Sequence, residues 1–297
     1  MKGLSPIIGQ NTSIVKVVPF KVPHTRREAF RVQEDHLPYF YDKLHHHVEI
    51  QLMLIEASEG TLIAGDYVGR FEPGDLFLLG SNQAHVFRND ERYYKSGTRQ
   101  AKSLSIYFDE SYLGEHFWEL EEMDAIRRFL QETGRGYRIL NDTRAEILAL
   151  IKSIRQNNDA SKVINFLAIL NLLTQSPDLV PLSVTASLET YSQNEGRRMN
   201  AILQFTFQQS HRKIYIDEVA KIAHLSVEAF CRYFKTRTGK TYTNFLNEVR
   251  ISNACKLIID KDLSIQDVCY KSGFANLSNF NRAFKRVTGK TPSRYIV

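Results

Sequence analysis

The sequence has few cysteines and no long apolar run. Its 297 residues include three cysteines, Cys231, Cys255 and Cys269, which stand far apart and form no CxxC pair. Isolated thiols fit a reducing compartment and are usually small core residues. The longest apolar runs, such as residues 166–173, are far shorter than a membrane span, and the N-terminus lacks an apolar signal core. We therefore expect a cytoplasmic protein with no membrane partner.

Charge is unevenly distributed along the chain. Apolar residues make up 43% and charged residues 24%, near the soluble globular average, and the length is comfortable for two domains. The net charge is +6, yet residues 197–297 carry 18 basic and 7 acidic side chains, whereas the remainder carries 21 basic and 26 acidic ones. A basic module on an acidic body is typical of nucleic-acid-binding proteins, although basicity alone is a weak signal.

The spacing of apolar residues divides the chain into segments. Residues 20–110 contain short segments rich in Val, Ile, Leu, Phe and Tyr between turn residues, which predicts a barrel or sandwich of strands. From about residue 115, apolar residues recur three and four apart, which predicts helices. We predict a β domain over 1–112, a helical segment over 113–176, a polar linker over 177–196 and an all-α domain over 197–297.

The last third of the chain contains an internal repeat. The pattern F-x-R-x-F-K-x-x-T-G-K-T occurs at 230–241 and again, 50 residues later, at 280–291. Each copy follows a short helical segment and a turn, which predicts two helix-turn-helix units. Gly273 suits a left-handed turn position, and Ser226 suits a helix N-cap. Residues 242–260 predict a connecting helix of roughly 27 Å, a suitable spacer for reading helices about 34 Å apart on DNA.

The second helix of each unit is expected to have one apolar and one polar face. Phe230 and Phe234, like Phe280 and Phe284, are four apart and should face the core. The outward residues proposed to read base edges are Glu228, Cys231, Arg232, Ser278, Asn281 and Arg282. The basic residues proposed to contact phosphates are Lys235, Lys240, Lys285, Arg286 and Lys290. The alternative is a pair of ordinary solvated faces, which two copies on a basic module disfavour.

The stretch LHHHVEIQL at 44–52 concentrates histidines. Read as a strand, it places alternate residues on opposite faces. The face expected to line a pocket, a metal or solvent comprises His45, His47, Glu49 and Gln51. The face expected to pack against protein comprises His46, Val48, Ile50 and Leu52.

The second repeat resembles a known family signature. The sequence GFANLSNFNRAFKRVTGKTPSRYI is similar to the C-terminal pattern of AraC/XylS-type transcription regulators. The matching residues are Gly273, Phe274, Ser278, Phe280, Arg282, Phe284, Lys285, Gly289, Thr291, Pro292 and Tyr295. The first copy departs from the pattern at Tyr242 and carries the acidic Glu228 on its expected reading face. The resemblance covers about the last hundred residues and implies two helix-turn-helix units, joined by a long helix, that bind DNA and usually activate transcription.

The N-terminal region is similar, more weakly, to the cupin barrels that many such regulators carry as sensors. His45-x-His47 aligns with the first cupin metal motif and residues 85–89 with the second, but the glutamate position of that motif falls on Gln51. Because a neutral amide is a poorer ligand for a divalent ion, we favour a pocket for an uncharged ligand and expect no cofactor. The proposed pocket residues are His45, His47, Glu49, Gln51 and His85. A metal held by His45, His47 and His85, or purely structural histidines, remain alternatives.

The resemblance implies a multidomain β + α protein with an N-terminal cupin-like β-barrel, a helical middle segment and a C-terminal all-α tandem helix-turn-helix domain. We expect a transcription activator, not an enzyme, that binds double-stranded DNA, works with the transcription machinery and forms a homodimer through residues 113–176. Its effector is a small molecule, with carbohydrates suggested by the family. The alternatives are a metal-dependent cupin enzyme and a DNA-binding protein that needs no effector.

Overall fold

The computed structural model describes residues 22, 28–95, 100–109, 111–183, 193–259 and 263–295. In this part of the chain the strands are β1 (Arg31–Leu37), β2 (Ile50–Ala57), β3 (Gly60–Ala64), β4 (Tyr67–Phe71), β5 (Leu76–Leu79), β6 (His85–Asn89), β7 (Ala101–Phe108), β8 (Tyr137–Ile139) and β9 (Leu179–Pro181). The helices are α1 (Glu91–Lys95), α2 (Glu115–Trp118), α3 (Asp124–Glu132), α4 (Asn141–Gln156), α5 (Ala160–Gln175), α6 (Gln193–Gln209), α7 (Ile216–Ile222), α8 (Val227–Thr238), α9 (Tyr242–Ile259), α10 (Ile265–Lys271), α11 (Leu277–Thr288) and α12 (Pro292–Tyr295). None of these helices has the length and apolar character that crossing a bilayer requires.

The strands form two antiparallel sheets that pack against each other. Among the described residues, one sheet has the order β1-β7-β2-β5-β8-β9 and the other has the order β4-β3-β6. Both sheets contribute to a core of large apolar side chains, among them Phe71, Phe77 and Phe87. The predicted closed barrel is wrong, because β5 pairs with β8 and not with a strand of the second sheet. The described strands therefore form a two-sheet sandwich.

Helices cover the other side of the larger sheet. The predicted helices α4 and α5 are confirmed, and their apolar faces place Ile147, Ile151 and Phe166 in one core with side chains of β2, β5 and β7. β8 lies inside the segment predicted to be helical, and β9 lies inside the predicted linker. Three-residue strands carry too little alternation to be recognised from sequence. Residues 184–192 of that linker lie outside the described residues.

The histidine-rich stretch 44–52 is a strand only in its second half. β2 begins at Ile50, whereas His45 forms an isolated antiparallel bridge with His85. Residues 48 and 49 form a bend that breaks the alternation of faces. Val48 is consequently 56% exposed, so the prediction that it packs against protein is wrong.

The repeat in the last third folds as two helix-turn-helix units, α7–α8 and α10–α11, joined by the 18-residue helix α9. The predicted cap is confirmed, because the Ser226 hydroxyl accepts a hydrogen bond from the Ala229 amide at 3.2 Å. Gly273 has a φ of 96°, and a Cβ at that position would lie 2.1 Å from the Ser210 carbonyl oxygen. The first unit has His224, with a φ of 53°, at the corresponding turn. Both turns thus use a left-handed residue to redirect the chain.

The two units have different hydrophobic surroundings. Phe230, Phe234, Phe280 and Phe284 are fully buried, as predicted. The first two belong to a cluster that also contains side chains of the N-terminal domain, such as Val86. The last two belong to a separate cluster formed within residues 251–295. The first unit is therefore packed against the N-terminal domain, whereas the second has its own core.

Candidate nucleic-acid interface and histidine cluster

Helices α8 and α11 expose the polar faces predicted from their sequences. Every proposed base-reading residue is solvent-exposed: Glu228, Cys231, Arg232, Ser278, Asn281 and Arg282. The rotation of each helix is set by its two buried phenylalanines, because residues four apart share one face. The start of α11 is fixed by Asn276, whose side chain accepts a hydrogen bond from the Asn279 amide at 2.9 Å. Both second helices thus leave a polar face available to a partner.

The two polar faces differ in charge at their first turns. In α8, the Glu228 carboxyl accepts hydrogen bonds from the Glu228 backbone amide and from the Ser226 hydroxyl, and these bonds lower its pKa. The corresponding residue of α11 is the uncharged Ser278. In α11, Arg282 donates from Nη2 to Asn279 Oδ1 at 2.8 Å, which directs the guanidinium along the helix. The second unit therefore presents the more positive face.

Four of the five proposed phosphate contacts are exposed: Lys235, Lys285, Arg286 and Lys290. Lys240 differs, because its Nζ lies 2.7 Å from Glu248 Oε2 and both side chains are mostly buried. Burial raises the pKa of Glu248. Lys240 is thus already engaged by an intramolecular carboxylate, which a phosphate contact would have to displace.

A basic groove formed by α9, the second unit and the segment after α6 contains residues that the sequence reasoning missed. The groove has a volume of about 530 Å³, and its basic lining side chains include Lys213, Arg250, Arg282 and Arg286. Arg250 in α9 donates to the carbonyl oxygens of Ser210 at 2.9 Å and Arg212 at 2.7 Å. A charged residue between the two apolar residues Val249 and Ile251, both fully buried, was the available signal. Arg250 fixes the segment after α6 beside the second unit.

The five predicted pocket residues lie together in the N-terminal domain. They are all buried, with His47 at 3% and His85 at 1% exposure. The centroid of the His85 ring lies 4.3 Å from that of the His45 ring and 5.1 Å from that of the His47 ring. One ring nitrogen from each of these three histidines lies within 4.8 Å of the other two. The backbone bridge between His45 and His85, with hydrogen bonds of 3.0 and 2.9 Å, holds two of the rings together.

The three rings share one hydrogen-bonding arrangement. In His45, His47 and His85, Nδ1 bonds the backbone carbonyl of a residue two positions away, at 2.8–2.9 Å. A carbonyl only accepts, so Nδ1 carries the proton and Nε2 carries the lone pair in each neutral ring. Burial lowers the pKa of all three imidazoles, that of His45 to about 4, and keeps them neutral at pH 7.

Gln51 connects the cluster to β7. Its Nε2 donates to Ser105 Oγ at 2.9 Å and Tyr107 Oη at 3.0 Å, while its Oε1 lies 3.3 Å from His47 Nε2. Tyr107 is opposite Gln51 in the β2–β7 register, and its burial raises its pKa. Sequence reasoning missed Ser105 and Tyr107, although alternate polar residues in the strand SLSIYF point to one face.

The histidine cluster lies next to the junction between the two domains. Leu44, which precedes His45, donates its amide to Asn200 Oδ1 at 2.8 Å and accepts from Asn200 Nδ2 at 3.4 Å. Asn200 is buried in α6, the first helix of the C-terminal domain. A buried hydroxyl pair, Thr61 with Ser252 at 2.7 Å, joins β3 to α9 farther along the junction. The residue next to His45 in the chain thus makes a direct contact with the C-terminal domain.

Comparison with known proteins finds a family model that matches the C-terminal domain and relatives that align along most of the chain. Residues 219–296 match the family model described as a helix-turn-helix domain. The probable transcriptional regulator LumQ of Photobacterium leiognathi is 24% identical over 84% of this chain and 90% of its own length. The transcriptional activator RhaS of Escherichia coli O6:H1 is 28% identical over 87% of this chain and 89% of its own length.

Solved structures were also compared with the chain. ToxT from Vibrio cholerae is 15% identical, has a TM-score of 0.35 and covers 90% of this chain and 98% of its own. The DNA-binding domain of AdpA, solved with a target DNA, is 24% identical, has a TM-score of 0.31 and covers 32% of this chain and 86% of its own.

The tandem units with exposed basic second helices define a DNA-binding protein of the helix-turn-helix class. Residues 219–296 match the helix-turn-helix family model, and the relatives that align along most of the chain are named as transcription regulators or activators. These matches confirm the prediction, made from the second repeat, of a helix-turn-helix transcription regulator.

Proposed function

We propose that this regulator binds double-stranded DNA with α8 and α11 in successive major grooves. The exposed polar faces of α8 and α11 supply the proposed base contacts, and their lysines and arginines supply the phosphate contacts. Helix α9 has 18 residues, which corresponds to roughly 27 Å. That length suits two reading helices placed about one DNA turn, about 34 Å, apart.

The N-terminal domain is proposed to be the cupin-like sensor of a small-molecule effector. The support is a buried cluster of His45, His47, Glu49, Gln51 and His85, because converging polar groups in a protected site are typical of ligand recognition. The family resemblance suggests carbohydrates as the first effectors to test. An effector changes DNA binding only if it binds one arrangement of the two domains more tightly than another.

The observation that carries this proposal is the two-sided hydrogen bond between Leu44 and Asn200. His45 is bound through its backbone to His85, and the adjacent Leu44 is bound through both backbone groups to α6. A ligand that shifts His45 therefore shifts a residue that contacts the DNA-binding domain. This short connection offers a physical route from an occupied cluster to the orientation of α8.

The test measures DNA affinity of the full chain with and without effector, using a DNA site obtained by selection from random sequences and a panel of monosaccharides. Asn200→Ala removes both hydrogen bonds to Leu44, so we expect it to reduce the effector-induced change in DNA affinity at least about fivefold. Asn158→Ala, at an exposed position between α4 and α5, is the matched control. An undiminished response in the Asn200 variant would contradict this route.

Dimerisation, activation and location complete the proposal. The buried faces of α4 and α5 are used within the chain, so the homodimer is proposed from the family resemblance, and Ile164 of α5, which is 64% exposed, is the apolar position at which to test it. Sedimentation of an Ile164→Lys variant tests that contact.

Activation through the transcription machinery in the cytoplasm is proposed from the family resemblance. The three cysteines are free thiols, as a reducing compartment favours: Cys231, Cys255 and Cys269.

A further inference from the structure

We propose that the basic groove formed by α9, the second unit and the segment after α6 binds the sugar-phosphate backbone of DNA between the two major grooves that α8 and α11 enter. Lys213, which lies outside both reading helices, is the residue that contacts a phosphate there. This inference rests on the proposed DNA binding, because it adds a third contact region to the two reading helices.

The groove carries positive charge without compensating acids. Among the described residues that line it, none is an aspartate or a glutamate. By comparison, a cavity between β4 and α9 is lined by two arginines and two glutamates. The basic side chains of the groove are Lys213, Arg250, Arg282 and Arg286. Positive charge of this kind is complementary to a polyanion and releases its counterions on binding.

One wall of the groove belongs to α11, the reading helix of the second unit. Arg282 and Arg286 line this wall, and because they are four residues apart they lie on the same side of the helix. A helix inserted in a major groove has a sugar-phosphate backbone along each flank. The DNA strand that flanks α11 on this side therefore runs past Arg286 and into the groove.

The opposite wall is the segment that leads into α7. His211 and Lys213 line this wall, and both are exposed. The Lys213 ammonium lies 4.5 Å from the centroid of the Tyr215 ring, which holds it beside the start of α7. In helix-turn-helix proteins the first helix of the unit crosses the DNA backbone, and α7 is the first helix of its unit. Lys213 therefore stands where the backbone crosses from one unit to the other.

Hydrogen bonds and close packing hold the two walls together. Arg250 donates to the carbonyl oxygens of Ser210 and Arg212, at 2.9 and 2.7 Å. Its guanidinium also lies 5.7 Å from the centroid of the Phe274 ring, in the turn of the second unit. Gly273 of the same turn packs so closely on Ser210 that a Cβ would lie 2.1 Å from the carbonyl oxygen. The groove is therefore formed before DNA arrives, which reduces the cost of ordering its walls on binding.

The experiment replaces single phosphates of a selected DNA site with uncharged methylphosphonates and measures the affinity of the full chain. Linkages between the two patches protected by the reading helices should weaken binding of the unsubstituted protein. With Lys213→Ala the same linkages should no longer matter, because the contact is already lost. Lys152→Ala, which replaces an exposed lysine of α4, is the matched control and should keep the original sensitivity.

Salt dependence gives the size of the effect. Loss of one phosphate contact lowers the slope of log affinity against log salt concentration by about 0.9, so the fall in affinity between about 50 and about 200 mM salt should be roughly threefold smaller in Lys213→Ala. The preference for each base should stay the same, since the proposed contact involves a phosphate and not a base edge.

Three results would overturn the groove contact. Equal sensitivity of the Lys213→Ala variant and the unsubstituted protein at every linkage between the patches would do so, while the two protected patches would leave the reading by α8 and α11 in place. Failure to select any preferred DNA sequence would reject that reading as well. Pyrophosphate binding that depends on Lys213, without any effect of the uncharged linkages, would assign the groove to a small anion instead.

Discussion

The two helix-turn-helix units share a sequence pattern but differ in what surrounds them. The buried phenylalanines of α8 lie in a cluster with N-terminal-domain residues such as Leu44, Ile63 and Val86. Those of α11 lie in a cluster formed within residues 251–295. The two units thus share a local fold, and the core of the first also includes residues of the N-terminal domain. The apolar core of the first unit is therefore shared with the N-terminal domain, whereas α9 is joined to that domain near the second unit by polar contacts such as Thr61 with Ser252.

The two units also differ in how many of their basic side chains are free of intramolecular ion pairs with carboxylates. In the first unit Lys240 pairs with Glu248, Arg237 pairs with Glu195, and Glu228 adds an anion to the reading face. In the second unit the basic side chains Lys285, Arg286 and Lys290 are exposed. The second unit is therefore expected to provide more of the salt-dependent affinity.

The largest expected effects come from the cores of the two units. Phe234→Ala and Phe284→Ala each remove a fully buried ring, so each should lower the free energy of unfolding by about 3–5 kcal/mol. Hydrogen exchange should then show opening of β3 and β6 in the Phe234 variant and opening confined to residues 251–295 in the Phe284 variant. Equal opening of β3 and β6 in both variants would contradict the asymmetry of the cores.

An intermediate effect is expected from the two equivalent arginines. Arg232→Ala and Arg282→Ala should each cost about 1–3 kcal/mol of binding free energy and relax the preference at one base position. Competition binding with single-base variants of a selected DNA site measures this, and the two variants should relax different positions. A uniform loss across all sequences would mean that the arginines contact phosphates.

The smallest effect is expected on the salt dependence of DNA affinity when either of two lysines proposed to contact phosphates is replaced. Lys285→Ala should reduce the slope of log affinity against log salt concentration by about 1, because one phosphate contact is lost. Lys240→Ala should change the slope less, since Lys240 is held by Glu248. Equal changes would show that DNA displaces the Lys240–Glu248 pair.

The C-terminal domain could be predicted because its signals are local. The Ser226 cap, the Gly273 turn and the phenylalanines four apart each act within one turn of helix. The N-terminal domain depends on pairings between distant segments, so its closed barrel was predicted wrongly and β8 and β9 were missed. The five residues predicted to line a pocket could be grouped from the sequence because they lie in two compact motifs, and the pocket itself stays a prediction. Asn200, Ser105 and Tyr107 come together with them only in the folded chain, which no local pattern reveals.

The most direct test of the account is a hydroxyl-radical footprint of the full chain on a selected DNA site. Two reading helices in successive grooves should protect two patches on one face of the duplex, about 10 base pairs apart. Arg232→Ala should weaken one patch and Arg282→Ala the other. A single protected patch, or the same patch weakened by both variants, would contradict the claim that both units read DNA.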